Sequence, residues 1–272
     1  MARSQEHVML NLLQAARLAK LAYAGESAFE HQMQVQLKLL GETRVDHQFW
    51  EPASDPNQAY AVVTEKKIIV SVKGTDFLDR ESAAQNFRKR RIRVGGLSFH
   101  EGYYIGISQL LKRGLDGYVK SWAASEPIGQ QSRELIIIGH SAGGCLADLL
   151  SGLLWQDAVK ASHVFTFAAP RGSGRVHAQL QRRRFMGGRH RYRRVVSTSD
   201  PVPWVPFYWQ GWRHAYPATY LNRKNERIRA ASCPYMLFDG MMNRIQTATL
   251  FAAREAHSID TYIRKLEENP CE

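Results

Sequence analysis

The 272-residue sequence predicts an α/β fold with a mostly parallel central sheet flanked by helices, on three observations. Apolar runs of strand length alternate with longer segments of helical spacing, the order that builds parallel strands beneath covering helices. In "ELIIIGHSAGGCLADLL", residues 134–150, a strand-like run passes through Gly-x-Ser-x-Gly into a helical pattern, so a turn carrying Ser141 joins strand to helix. The length suits one large domain with a sizeable core, and no repeat, low-complexity stretch or linker divides it; residues 1–272 are expected to form a single domain.

Hydrophobic residues make up 44% of the chain and charged residues 23%, a balance that excludes both a disordered polymer and a membrane bundle. No apolar run approaches the roughly 18 residues a spanning helix needs. In residues 1–24, apolar positions recur at helical spacing through Val8, Leu12, Ala16 and Ala19 and are interrupted by Glu6, Asn11 and Gln14. That pattern predicts an amphipathic helix lying on the fold rather than a cleaved signal peptide, whose apolar centre is unbroken. The expected location is cytoplasmic, or exported without a classical signal peptide, with peripheral membrane association open.

The remaining elements follow in order. Residues 60–64 and 67–73 read as strands parted by a turn at Glu65 and Lys66, and residues 102–122 have helical spacing. A strand over 135–138, a helix over 142–155, and strands over 163–168 and 193–197 come next. Residues 201–206, "PVPWVP", read as a stiff loop, and a last helix spans about 245–266 with Ala248, Ala252, Ile259 and Ile263 on one face. Cys145, Cys233 and Cys271 have no metal-like spacing, and their odd number favours a reduced compartment over a disulfide framework, with a Cys233–Cys271 bridge as the alternative.

Charge is uneven. The net is +12, and from Ala158 to Ser199 there is no Asp or Glu while ten basic residues fall between Lys160 and Arg194. A second basic run, "RKRRIR", occupies residues 88–93. Such surfaces imply an anionic partner, phospholipid or nucleic acid.

The serine is the chemically informative residue. On a tight strand-to-helix turn its hydroxyl projects from the sheet edge, and Gly139 and Gly143 leave room where a β-carbon would meet the neighbouring strand and helix. Ser141 also faces the positive end of its helix, with the amide of Ala142 free to donate to an oxyanion. A serine hydroxyl becomes a nucleophile when a histidine takes its proton and a carboxylate orients that histidine. In α/β-hydrolases the chain order is Ser, Asp or Glu, then His, so both partners are sought after residue 141. Asp148 and Asp157 belong to the nucleophile's own helix or its end, whereas Asp200 directly follows a strand, where catalytic loops gather. After Asp200 the order leaves His214 and His257, and placement favours His257. The run "IIVSVKGTD" supplies an earlier strand ending near Gly74 and Thr75, the region from which a second oxyanion donor usually comes.

Together these segments resemble the class 3 lipase family, the fungal-lipase-like α/β-hydrolases. The resemblance lies in "IIVSVKGTD", "FHEGYY", "IIIGHSAGG", "VFTFAAPRGSG", "RVVSTSDPVPWVP" and "AHSIDTY", in the family's order over roughly residues 60–266. It implies Ser141 as nucleophile, Asp200 as acid, His257 as base, and Thr75 and Ala142 as oxyanion donors, with His214 matching a frequent histidine that is not the base. Lys73, Ala142 and Ala168 stand where the family has arginine, leucine and glycine. The resemblance further implies a lid over residues 77–94, which a helix at 77–87 would furnish with Phe77, Leu78 and Phe87.

The expected activity is hydrolysis of carboxyl esters of lipids, of the lipase or phospholipase type, through an acyl-enzyme and with no metal or organic cofactor. Arg88, Lys89, Arg90 and Arg91 are candidates for docking an anionic membrane. Nucleic acid is disfavoured as a partner, because the basic stretch has no binding fold of its own. The competing expectation is a catalytically idle hydrolase fold that binds an anionic partner through its basic surface.

Overall fold

The computed structural model describes residues 10–51, 56–74, 90–125, 132–186, 191–247 and 252–269. Helices α1 (Leu12–Leu21) and α2 (Glu26–Leu40) precede strands β1 (Arg44–Trp50), β2 (Ala59–Thr64) and β3 (Lys67–Val72). The hairpin of β4 (Arg91–Val94) and β5 (Leu97–His100) leads into α3 (Glu101–Lys112) and α4 (Leu115–Ala124). Then come β6 (Glu134–His140), α5 (Ala142–Gln156), β7 (His163–Phe167), β8 (Ser173–Gly174), α6 (Arg175–Phe185) and β9 (Arg191–Ser197). The last elements are β10 (Trp212–Arg213), β11 (Ala218–Leu221), β12 (Arg227–Arg229), α7 (Cys233–Thr247), α8 (Ala252–His257) and α9 (Ile259–Glu268).

Among the described residues the main sheet has eight strands in the order β1-β2-β3-β6-β7-β9-β11-β12. From β3 to β11 the neighbours run parallel, and β1, β2 and β12 pair antiparallel at the two sides. Parallel strands must be covered on both faces, and the side-chain alternation does this. Ile68, Val70, Leu135 and Ile137 pack in the core under α3, α4 and α5, while Ile69, Ile136 and Ile138 join α1, α2 and α9 on the other face. This is the α/β-hydrolase architecture, with helices on both faces and the parallel strands all ending on one edge. A second sheet, β10-β8-β5-β4, is built from short strands.

Local chemistry sets the element ends and corrects several expectations. Among the described residues of the stretch 1–24, the helix covers Leu12–Leu21: Asn11 caps it, accepting from the Gln14 amide while the Gln14 side chain accepts a bond from the Asn11 amide. Residues 1–9 lie outside the described residues. The helical stretch expected over 102–122 is two helices, because the chain turns at Gly114, whose φ of 90° is left-handed and closed to most side chains. The single final helix is three, α7 to α9, with residues 248–251 outside the description and Ser258 starting α9 by accepting from the Asp260 amide. The strand expected over 67–73 ends at Val72. The lid expected over 77–94, with its helix over 77–87, lies outside the described residues up to position 89, and Arg91–Val94 at its end form strand β4. Cys271 is likewise outside, while Cys145 and Cys233 are free thiols.

Candidate active site

Strand β6 delivers Ser141 to the edge where the parallel strands end. Its backbone sits at φ 57° and ψ −133°, a conformation that an L-residue adopts only under constraint. The constraint is visible on both sides. The Ser141 amide donates to the Phe167 carbonyl at 2.9 Å, pinning the turn to the end of β7. A β-carbon at Gly143 would stand 2.1 Å from the Val72 carbonyl oxygen, and one at Gly139 would stand 2.2 Å from that of Gly143. Only glycines let β3, β6 and α5 approach this closely. Ala142 opens α5, so its amide is among those without an acceptor inside the helix.

Asp200 follows β9 directly, and His257 ends α8. The Ser141 hydroxyl donates to His257 Nε2 at 2.8 Å, and His257 Nδ1 donates to Asp200 Oδ1 at 3.0 Å. Asp200 is fixed by two further donors, the Val202 amide on Oδ1 at 3.0 Å and the Tyr262 hydroxyl on Oδ2 at 2.6 Å. Tyr262 in turn accepts from the Ser197 amide at 2.9 Å, which ties α9 to the end of β9. Burial and the neighbouring Asp200 hold the Tyr262 phenol far above its ordinary value, so it stays a donor.

His257 is also held by its backbone. His140 Nε2 donates to the His257 carbonyl at 2.8 Å, and Tyr23 donates its hydroxyl proton to His140 Nδ1 at 2.7 Å. The same hydroxyl accepts from the Gly74 amide at 3.1 Å. One chain of hydrogen bonds therefore runs from the residue before Thr75, through Tyr23 just after α1 and His140, to the histidine that touches Ser141. Burial, and then the proximity of His257, push His140 down to about 3, so it remains neutral and keeps its acceptor for Tyr23. A β-carbon at Gly74 would lie 2.5 Å from the Tyr23 hydroxyl and 2.7 Å from Ser141 Cβ, which explains the glycine in "VKGTD".

The structure brings together Ser141, Asp200, His257 and Ala142; Thr75 lies outside the described residues, directly after Gly74. His214 is elsewhere: its Nε2 meets the Pro203 carbonyl at 2.8 Å, and burial with Arg194 and Arg171 nearby drives its pKa well below the usual value. Asp148 is engaged by His177 and Gln181, and Asp157 pairs with Lys120 at 2.7 Å. The arginine cluster is not one solvated face. Arg194 is buried and donates to the Tyr216 carbonyl, Arg171 is buried against the carbonyls of Trp204 and Pro206, and Arg184 reaches the Gly152 carbonyl, while Arg183 and Arg191 face solvent. Reading the sequence missed Tyr23, Tyr262 and the role of His140. Only the last had a local signal, its place beside the serine in "GHSAGG".

An imidazole with one nitrogen on a serine hydroxyl and the other on a buried carboxylate can take the hydroxyl's proton as the oxygen attacks an electrophile. Known proteins carry the same arrangement of elements. The structure superposes on the Rhizomucor miehei lipase propeptide complex with a TM-score of 0.64 at 20% identity, over 84% of this chain and 72% of that one. For the lipase from Rhizopus microsporus var. chinensis the TM-score is 0.61 at 20% identity, over 80% and 75% of the two chains. A stretch of 158 residues is 24% identical to the secreted mono- and diacylglycerol lipase 1 of Fusarium solani, covering 58% of this chain and 44% of that protein. The chain thus spans under half the length of that relative. The family model for lipase (class 3) matches residues 69–209, just over half of the sequence, from β3 through Ser141 and Asp200. The chain belongs to the class 3 lipase family.

Proposed function

We propose that this protein is a serine hydrolase of the carboxyl esters of lipids, working as one domain over residues 1–272. The observation that carries this reading is the unbroken relay of buried groups from Asp200 through His257 to Ser141, 3.0 Å and 2.8 Å long at its two joints. Ser141 Oγ attacks the ester carbonyl carbon while His257 Nε2 takes its proton, and the carbonyl oxygen becomes an oxyanion facing the start of α5. The amides of Ala142 and Thr75 stabilise that charge. As the tetrahedral species collapses, His257 returns the proton to the departing alcohol and the acyl group stays on Ser141. Water then attacks the acyl carbon, giving its proton to Nε2, and the fatty acid leaves as Ser141 regains its hydrogen. Asp200 holds the Nδ1–H tautomer throughout.

The family and the name of the Fusarium relative point to acylglycerols, and the basic surface adds phospholipid acyl esters to the substrate class. Arg90 and Arg91 are exposed at the start of β4, in keeping with docking to an anionic membrane by the run that begins at Arg88 and Lys89. That relative is a secreted protein, which supports export for this one. The test is turnover of p-nitrophenyl esters, diacylglycerol and mixed-micelle phospholipid, together with labelling by a fluorophosphonate. Label on Ser141 and turnover lost in Ser141→Ala are expected. An unlabelled serine with no turnover on any substrate overturns the reading in favour of an idle fold.

A further inference from the structure

We propose that Phe207, Tyr208 and Trp209 form a docking tip for an anionic phospholipid surface, on the same edge of the sheet as Ser141. The orientation of the substrate rests on the activity proposed above; the docking itself does not.

The tip lies in the loop that begins at Asp200, at the end of β9, and the Arg171 amide, shortly after the end of β7, donates to the Val205 carbonyl of that loop at 2.9 Å. Its aromatic residues face water: Trp209 is 78% exposed, Tyr208 58% and Phe207 42%. They are nevertheless held in a fixed shape. The rings of Phe207 and Trp209 stack at 4.4 Å with 8° between planes. A short 3₁₀ turn, Tyr208–Gln210, is closed by the Phe207 amide on Gln210 Oε1 at 2.9 Å and by the Gly211 amide on the Tyr208 carbonyl at 3.0 Å. Arginines brace it from behind and beside: Arg171 on the Pro206 carbonyl at 3.2 Å, Arg91 on the Gln210 carbonyl at 2.8 Å, Arg213 on the Tyr208 carbonyl at 2.7 Å. A rigid cluster of exposed aromatics presents apolar area to a partner with little ordering entropy left to lose.

The surrounding charge identifies that partner. From Pro201 to Asn225 the sequence contains no Asp or Glu. Arg213 lies over the Tyr208 ring at 3.6 Å and Arg91 over the Trp212 ring at 4.4 Å. Arg91 belongs to β4, and the small sheet β10-β8-β5-β4 joins this strand to the base of the tip at β10. Arg90 and Arg93 beside it are also exposed. Amphipathic rings with guanidinium groups at their rim match the headgroup layer of a membrane: indole and phenol rest among the glycerol esters while the cations meet lipid phosphates. A tip seated in this way turns the mouth above Ser141 toward the esters to be cut.

The test uses full-length protein carrying Ser141→Ala, so that vesicles are not consumed, with the double change Phe207→Ser and Trp209→Ser as the variant. Partitioning is measured onto phosphatidylcholine vesicles with and without phosphatidylglycerol at physiological ionic strength. The expected result is preference for the anionic vesicles and a loss of about tenfold or more in the double variant. With Ser141 intact, the same double variant turns over a soluble acetate ester as the parent does, which shows that it folds. A second measurement uses Trp209→Phe, which keeps an aromatic tip: fluorescence quenching by brominated acyl chains falls while partitioning is retained. Unchanged partitioning in the double variant overturns the proposal and gives the tip to a protein or nucleic-acid partner. Equal binding to neutral and anionic vesicles overturns the anionic preference. A protein that docks as expected but turns over no ester refutes the proposed activity and leaves the docking tip standing.

Discussion

Ser141 and His257 meet at 2.8 Å, yet they are held in different ways. Ser141 is fixed locally, by a strained turn locked between glycines that let β3, β6 and α5 touch. His257 is fixed from a distance, by Asp200 just after β9 and His140 of β6, which Tyr262 of α9 and Tyr23 just after α1 hold in turn. Ser141 depends on what is absent, side chains at Gly139 and Gly143, while His257 depends on what is present far along the chain. Its placement should therefore be adjustable in small steps, whereas the elbow should be all or nothing.

The largest losses are expected at the three groups of the relay. Ser141→Ala or His257→Ala should lower kcat on a soluble ester by about 10⁶-fold, and Asp200→Asn by about 10⁴-fold, with His214→Ala close to the parent. Gly143→Ala comes next: its β-carbon falls 2.1 Å from a backbone oxygen, where neither partner can yield. A loss of about 3 kcal/mol or more is expected in the denaturant midpoint.

Acid sensitivity follows. Burial pushes His100 down to about 4, and His140 is pushed down to about 3, so both are neutral in the fold but protonate near 6.5 when it opens. The unfolded chain then binds more protons. Stability should be complete above pH 6.5, fall as the pH drops toward 4, and finish falling near 3; thermal melting against pH checks this, and a flat profile over that window would contradict it.

Distant supports come after that. Tyr262→Phe removes one donor to Asp200 and should reduce kcat by about 10-fold to 30-fold with KM little changed. Tyr23→Phe should cost somewhat less, and because His140 does not titrate near neutrality the acid limb of its rate profile should keep the parent's midpoint. A purely structural role for Tyr23 would lower the melting temperature and leave kcat alone. Smallest is Ala168→Gly. Ala168 has a φ of 54°, in the left-handed region, where the family carries glycine. The change should stabilise the protein by about 1 kcal/mol and leave turnover unchanged.

What the sequence revealed divides along the same line. The elbow was legible because strand, glycines, serine and helix are consecutive, and Asp200 because it directly follows a strand. The interior strands β3, β6 and β7 were legible as continuous apolar runs. Strand β4, "RIRV", was not, because its residues face mostly outward and its partner strand is what defines it. Helix α2 was missed as well; its apolar positions are diluted by Gln32, Gln34 and Gln36. The division of the last helix at Ser258 left only a weak mark, a serine cap among residues that all favour helix. Tyr23 and Tyr262 could not be assigned at all, since what makes them important is a contact with residues more than a hundred and more than sixty positions away, at His140 and Asp200.

The chain from Gly74 through Tyr23 and His140 to the His257 carbonyl is anchored just past the end of α1. Helices α1 and α9, which carry Tyr23's approach and Tyr262, are clasped at the surface by Arg17 with Glu267 at 2.8 Å and by Lys20 with Asp260 at 2.6 Å. Both pairs are open to solvent. The two helices that lead to the Tyr23 and Tyr262 hydroxyls are thus tied to each other by charged groups that face water rather than the buried relay.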